Sequence, residues 1–347
     1  MDQSKELESV TGGADETPTA TFIVFAYNQE KFIREAVEGA FAQTYGPLEI
    51  VLSDDCSTDQ TFEIMREMAS NYDGPHNVKA VRTSTNLGLI SHVLARGREA
   101  SGDVVVVASG DDISEPERTT RIVDAFVGDP KVGAVGSWVS DIDENGRIFQ
   151  ERRLSLVSDG IVPRDDKQIN KVVLGCSAAY RQWAFDVPLS SADAHYGEDL
   201  LLSFYVNLLG ARIVSLDSPL VRYRKHAGAQ SNLVDTSVGN VEGYIRRVAG
   251  ARIEFLDESE RIANATNKSQ RIDKSEIARA RQFACDATEW PDLAFRQRLK
   301  RTITADYKGE LRPNLKRFAW RVVRLWGRYP CYQPKTSISR IKLSWSR

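Results

Sequence analysis

The chain has 347 residues, 41% hydrophobic and 27% charged, the balance of a folded globular protein; a collagen-like, largely disordered or multi-span membrane chain is excluded. At roughly 150 residues per domain the length fits about two domains, or one large α/β domain with an appendage. The net charge of -2 hides an asymmetry, because residues 301–347 carry 12 Lys or Arg against only Asp306 and Glu310. Four cysteines, Cys56, Cys176, Cys285 and Cys331, are scattered without a CxxC pair. Neither a disulfide framework nor a zinc site is suggested, and a reducing cytoplasm fits best.

Residues 1–19 are polar and acidic, without the basic segment and apolar core of a secretory signal, and read as a disordered leader. From residue 20 one pattern repeats: a short β-rich apolar run, a polar turn, then apolar residues at helical spacing. The runs are TFIVFA (21–26), LEIVLS (48–53), VKAVRT (78–83) and DVVVVAS (103–109). Such strand–helix alternation predicts a mostly parallel sheet with helices on both faces. A candidate strand follows at 132–142, then an apolar run near 148–156, the segment KVVLGCSAAYRQWAF (171–185), a buried helix in GEDLLLSFYVNLLGA (197–211), and two short runs, ARIVSL and PLVRYR. From about 236 the periodicity is helical, with candidates near 238–267, 269–287, 291–305 and 312–327. The expected division is a leader (1–19), an α/β domain (20–232) and a helical C-terminal region with a basic amphipathic tail (233–347).

In open α/β sheets ligands bind at the carboxyl ends of the strands. Here the first four strands end in Ala26-Tyr27-Asn28-Gln29-Glu30, Asp54-Asp55-Cys56-Ser57-Thr58-Asp59, Asn86-Leu87-Gly88 and Ser109-Gly110-Asp111-Asp112. The candidate nucleotide-contacting residues on these tips are Ala26, Tyr27, Asn28, Glu30, Asp54, Asn86, Ser109 and Gly110. No P-loop or GxGxxG stands at a tip. A hard dication such as Mg2+ or Mn2+ gives a physical reason for Asp111 and Asp112, since it favours carboxylate oxygen and completes its shell with water and phosphate. The alternative is that SGDDISEPE caps the next helix. Asp54 has two readings as well, a carboxylate accepting the N3–H of uracil or a turn former in DDCSTD. Tyr27 can stack on a base or be core.

Taken together, FIVFAYNQEKFIREAVEGAFAQTYGPLEIVLSDDCSTDQT, TNLGL, VVVVASGDDISEPER, GCSAAYRQWAF, GEDLLLSF and LVRYRKHAGAQS resemble the family 2 glycosyltransferases of GT-A fold, over about residues 20–232. The resemblance implies a nucleotide-sugar donor, a divalent metal and inverting transfer to a hydroxyl acceptor. It implies Tyr27 and Asp54 at the nucleoside, Asp111 as the last carboxylate of the DxD motif, Asp199 of Gly197-Glu198-Asp199 as catalytic base with Glu198 beside it, and His226 near the metal with Asp111 and Asp112. Where many relatives carry Asp-x-Asp-Asp, this chain has Ser109-Gly110-Asp111-Asp112, a hydroxyl in place of the first carboxylate. Apart from the resemblance, Glu198 and Asp199 also read as an acidic first turn favoured by the helix dipole. Arg224 and Lys225 are placed to neutralise phosphate.

The segment LRPNLKRFAWRVVRLWGRYP sets Leu315, Phe318, Val322, Val323 and Trp326 on one helical face among basic residues. It suits either an anionic membrane surface contacted through 312–347 or docking with the basic face in water. No nucleic-acid recognition module is found. The expectation is a cytoplasmic enzyme, peripheral at the inner membrane face, that moves sugar from a UDP-sugar to a saccharide or lipid-linked saccharide in cell-surface polysaccharide or glycolipid synthesis. Alternatives are a noncatalytic nucleotide-binding or scaffolding protein of the same fold, and a nucleotidyltransferase.

Overall fold

The computed structural model describes residues 18–152, 156–157, 171–190, 195–226 and 241–289. The first half alternates as its periodicity predicts: β1 (Ala20–Ala26), α1 (Ile33–Phe41), β2 (Glu49–Asp54), α2 (Thr61–Ser70), β3 (Asn77–Arg82), α3 (Leu89–Arg98) and β4 (Val104–Ser109). There follow β5 (Ile113–Ser114), α4 (Arg118–Gly128), β6 (Val132–Ile142), β7 (Ile148–Arg152), β8 (Leu156–Val157), β9 (Lys171–Val172) and β10 (Ala179–Arg181). The described chain closes with α5 (Glu198–Leu209), β11 (Arg212–Arg224), α6 (Val241–Ala265) and α7 (Lys274–Glu289).

The main sheet runs β3-β2-β1-β4-β10-β6-β11-β5, with β7 on β6. Its first four strands are mutually parallel, whereas β10 enters antiparallel between β4 and β6. Strand order reverses between β1 and β4, so their carboxyl ends flank the crevice where ligands enter such sheets. Register puts Ala26 beside Asp54 and Phe25 beside both Ser53 and Ser109, which brings three polar tips to one rim.

Alternation along the strands divides the core. Phe22, Val24, Ile50, Leu52, Val104 and Val106 pack with Ile33 and Val37 of α1, Met65 of α2 and Ile122 and Phe126 of α4. On the other face Ile23, Phe25, Val51, Val105 and Val107 meet Ile90 and Val93 of α3, Leu201 and Phe204 of α5, Phe255 and Ile262 of α6 and Ile277 of α7. Helices thus cover both faces, and each fully buried apolar side chain contributes roughly 1.5–3 kcal/mol. Arg118 lies wholly buried and fastens the middle of the sheet, donating to Ser114 Oγ at 2.9 Å, Val107 O at 2.7 Å and Ala178 O at 3.3 Å. Burial lowers its pKa to about 10, which leaves it charged at neutral pH.

The runs ARIVSL and PLVRYR form one strand, β11, whose register on β6 shifts around Pro219. A bulge there accommodates a residue that has no N–H to give to the ladder. The described residues all fall within one compact unit. The expected boundary at 233, most of the expected leader and the candidate helices at 291–305 and 312–327 lie outside the described residues, while α6 and α7 contribute to the same core as α5.

Candidate active site

The tips of β1 and β2 are laced together. Asn28, in the left-handed region at φ 52°, donates its N–H to Ser57 Oγ at 2.9 Å, and its Oδ1 accepts the N–H of Thr58 at 2.8 Å. Asparagine tolerates this conformation better than most residues. Glu30 Oε2 accepts the N–H of Gln60 at 3.0 Å, just before α2, and Glu30 N–H donates to Asp59 at 3.2 Å. Asn28 and Glu30 therefore build the rim. Ala26 is buried, and its carbonyl accepts the N–H of Asp55 at 2.9 Å.

Asp54 serves as a turn former. Its side chain is 0% exposed; the carboxylate accepts Ser57 N–H at 2.9 Å and the Ser57 hydroxyl, and forms an ion pair with Arg82, whose Nε lies 3.2 Å from Oδ2. The inward-facing Asp54 carboxylate holds the DDCSTD turn. The neighbouring Asp55, which sequence reasoning passed over, accepts from Leu87 N–H at 2.9 Å, Gly88 N–H at 3.0 Å and Thr83 Oγ1 at 3.1 Å. It thereby carries the loop of Asn86, whose Oδ1 accepts Gly88 N–H at 2.9 Å. Successive residues at a strand end point to opposite faces, so paired carboxylates divide the work of supporting two loops. Tyr27 stays 47% exposed at the β1 tip, an aromatic face open for stacking.

At the end of β4, Gly110 N–H donates to Phe25 O at 2.8 Å. A Cβ on Gly110 would stand 2.4 Å from Gln29 Oε1 and 2.9 Å from Ala26 Cβ, so only glycine lets the two tips meet this closely. Ser109 is partly exposed beside it. Asp111 Oδ2 lies 3.0 Å from His226 Nε2, which joins the β4 tip to the end of β11 across 115 residues of sequence. Asp112 sits behind this pair, 4% exposed. Its Oδ1 accepts the N–H of Arg224 at 2.8 Å, and its Oδ2 has no hydrogen-bond partner among the described residues. Burial, then the Asp111 charge, raises its pKa well above the carboxylate range.

Among the described residues no three His, Cys, Asp or Glu side chains form a metal cage. Asp111 and His226 nevertheless fit a hard dication that takes few protein donors and completes its shell with phosphate and water. The expectation for Arg224 as a loop cation is corrected: its guanidinium is wholly buried and hydrogen-bonded to the protein.

The second pair of carboxylates opens α5. Asp199 Oδ1 accepts Leu200 N–H at 2.7 Å and Oδ2 accepts Gly175 N–H at 3.2 Å, while the residue stays partly exposed. Glu198 is 9% exposed, and a Cβ on Gly175 would lie 2.2 Å from its Oε1. The turn Gly175–Ser177 thus lies between the two acidic pairs, with Gly175 against Glu198 and Asp199 and the Cys176 thiol beside Asp112. Burial raises the pKa of Asp199, and burial together with the Asp199 charge pushes Glu198 up to about 8. The dipole of α5 favours the opposite shift, and desolvation exceeds it.

A pH dependence of stability follows. Between about pH 4.5 and about pH 8 the folded chain keeps a proton on Glu198 that the unfolded chain has released, so stability falls as pH rises through that window. Glu198→Gln removes this dependence and is expected to be more stable than wild type near pH 8.5, by on the order of 1–3 kcal/mol. Guanidinium unfolding midpoints at about pH 5.5 and about pH 8.5 check it; equal slopes with pH for both proteins would refute it.

The remaining histidines are structural or peripheral. His92 is buried, bonded to Ser53 Oγ at 2.7 Å and packed edge-on against Phe25. His76 accepts Leu48 N–H at Nδ1 and meets Gln43 O at Nε2. His195 pairs with Glu254 at 3.1 Å on an exposed surface.

The curled mixed sheet, with polar loops gathered where strand order reverses, is the architecture of a GT-A glycosyltransferase. The family described as glycosyl transferase family 2 matches residues 21–187, a span similar to that family's domain. An uncharacterised protein of Mycobacterium tuberculosis is 28% identical over 217 residues, covering 60% of this chain and 59% of the relative. This chain thus spans less than two thirds of that relative's length. A Haemophilus influenzae protein described as an uncharacterised glycosyltransferase is 26% identical over 242 residues, 66% of this chain and 72% of its own. The mannosyltransferase PcManGT of Pyrobaculum calidifontis, solved with GDP-Man and Mn2+, superposes with a TM-score of 0.53 at 15% identity, over 94% of this chain and 87% of its own, and shares the fold.

Proposed function

We propose that the protein is a metal-dependent, inverting glycosyltransferase that moves a sugar from a nucleotide-sugar, by our reading a UDP-sugar, to an acceptor hydroxyl. The observation that carries this reading is the Asp111–His226 pair, 3.0 Å apart at the reversal of strand order, with the base candidate Asp199 joined through Gly175 to the turn whose Cys176 lies beside Asp112. Tyr27 offers its face to the nucleoside, and the loops carried by Asp54 and Asp55 set the walls of that end of the crevice.

A bound Mg2+ or Mn2+ would be held by Asp111 and His226 and would supply charge stabilisation to the diphosphate. Asp199 takes the proton of the acceptor hydroxyl as its oxygen attacks C1 of the sugar; the C1–O bond to the diphosphate breaks on the opposite face and its electron pair leaves with the nucleotide. The raised pKa of Asp199 makes it a stronger base than an ordinary aspartate, and the two backbone N–H groups on its carboxylate fix its direction. Glu198, held protonated by burial near neutral pH, is able to donate a hydrogen bond to an acceptor hydroxyl.

PcManGT, described with GDP-Man and Mn2+, supports a nucleotide-sugar and dication in this fold. The acceptor we propose is a saccharide or lipid-linked saccharide of the cell surface, with the enzyme in the cytoplasm and its basic segment 312–347, outside the described residues, touching the anionic membrane face. No described helix is long and apolar enough to cross a membrane. Incubation with UDP-sugars and saccharide acceptors, followed by NMR of the product, tests the reaction. Release of UDP with an inverted anomeric centre is expected; retention excludes the base role, and pyrophosphate release from a parallel incubation of UTP with a sugar 1-phosphate would identify a nucleotidyltransferase instead.

A further inference from the structure

Arg224 is one of the largest wholly buried side chains in the described protein, and every hydrogen bond shown for it goes to an element bordering the candidate dication pair. Nε–H donates to Asp111 O at 2.9 Å. Nη1 reaches Glu144 O at 2.9 Å and Asp143 O at 3.2 Å in the β6–β7 hairpin, and Nη2 reaches Glu35 Oε2 of α1 at 3.0 Å. The main-chain N–H of the same residue donates to Asp112 Oδ1 at 2.8 Å. The guanidinium lies over the Phe32 ring, 4.8 Å to its centroid, and the same ring meets His226 at 4.6 Å between centroids. One side chain therefore holds the backbone of Asp111, leads two residues on to His226, and shares with His226 the aromatic surface against which the imidazole rests.

We propose that Arg224, anchored by Glu35, is a positioning residue that sets Asp111 and His226 at the separation a dication–diphosphate complex requires; this rests on the metal-dependent reading above. Two donors on different strands chelate one ion only if their approach is fixed to within about 0.5 Å. The planar guanidinium supplies that rigidity by spanning four acceptors on three segments, which a lysine ammonium on a flexible stem cannot reproduce. Glu35, 46% exposed, supplies the one carboxylate shown bonded to this buried cation and fixes its rotation through Nη2.

The test uses the full chain and calorimetric titration with UDP, in Mn2+ and in EDTA, together with the electron paramagnetic resonance spectrum of bound Mn2+. Glu35→Ala is expected to weaken Mn2+-dependent UDP affinity roughly 10-fold, as loss of a supporting contact does at metal sites, and to leave affinity in EDTA unchanged. Glu35→Gln keeps an oxygen in the same place and is expected to restore binding to within about threefold. Arg224→Lys should lose more than Glu35→Ala and should broaden the Mn2+ spectrum. Melting curves establish that each variant is folded, and the half-exposed Glu35 pair decides the matter even where Arg224→Lys does not fold. Wild-type affinity in Glu35→Ala, or equal loss in the Ala and Gln variants, overturns the positioning role. Asp111→Ala, run alongside, separates the two levels: if it abolishes the Mn2+ effect while Glu35→Ala does not, only this inference fails. If wild type shows no Mn2+ effect, the metal-dependent reading fails and this inference with it.

Discussion

Asp199→Asn is expected to bind UDP as wild type does and to lose about 10²–10⁴-fold in kcat, the range a positioned general base supplies. The substitution is nearly isosteric. One amide oxygen can still accept from Leu200 N–H, the shorter of the two bonds at 2.7 Å, while the bond from Gly175 at 3.2 Å is lost. The fold and the nucleotide end of the crevice are thus retained, and what disappears is the lone pair that receives the acceptor proton. Single-turnover rates with saturating donor, set beside calorimetric UDP affinities, separate the two effects. A kcat within about tenfold of wild type would remove Asp199 as the base. If Asp199 is the base, burial that raises its pKa is expected to move the acid limb of the wild-type kcat profile above the range of an ordinary aspartate.

Asp111→Ala acts on the other half of the reaction. Supporting contacts alone are worth about 10–100-fold at metal sites, so loss of a ligand itself is expected to reach at least about 100-fold in Mn2+-dependent UDP affinity. Affinity in EDTA should change little, because the nucleoside end we propose is formed by the Tyr27, Asp54 and Asp55 loops rather than by Asp111. Titration of UDP into wild type and variant, with and without Mn2+, reads this directly. Equal Mn2+ enhancement in both proteins would contradict the assignment.

Much of the fold is written in local periodicity. The four parallel strands and their crossover helices follow from alternating and helical spacing, and the site's address follows from reading the residue after each strand. Less legible were features set by contacts distant in sequence. The three-residue β10 carries no periodic signal, and it becomes a strand only because β4 and β6 offer ladder edges on both sides. Adjacent Asp54 and Asp55 look equivalent in the chain, yet they fall on different sides of the rim and support different loops. Arg224 looked like a loop cation poised for phosphate. Its burial depends on Phe32, Glu35 and the hairpin carbonyls of Asp143 and Glu144, a cage assembled from segments 80 to 192 residues away in sequence. The approach of His226 to Asp111 was anticipated by the family resemblance and by no spacing within the chain.

The most direct test of the account is calorimetric titration of the full chain with UDP and with GDP, each in Mn2+ and in EDTA. Saturable UDP binding that tightens with Mn2+, and weaker binding of GDP, is the expected result. Failure of both nucleotides to bind, or UDP affinity indifferent to the metal, would contradict a metal-dependent donor site at Asp111 and His226.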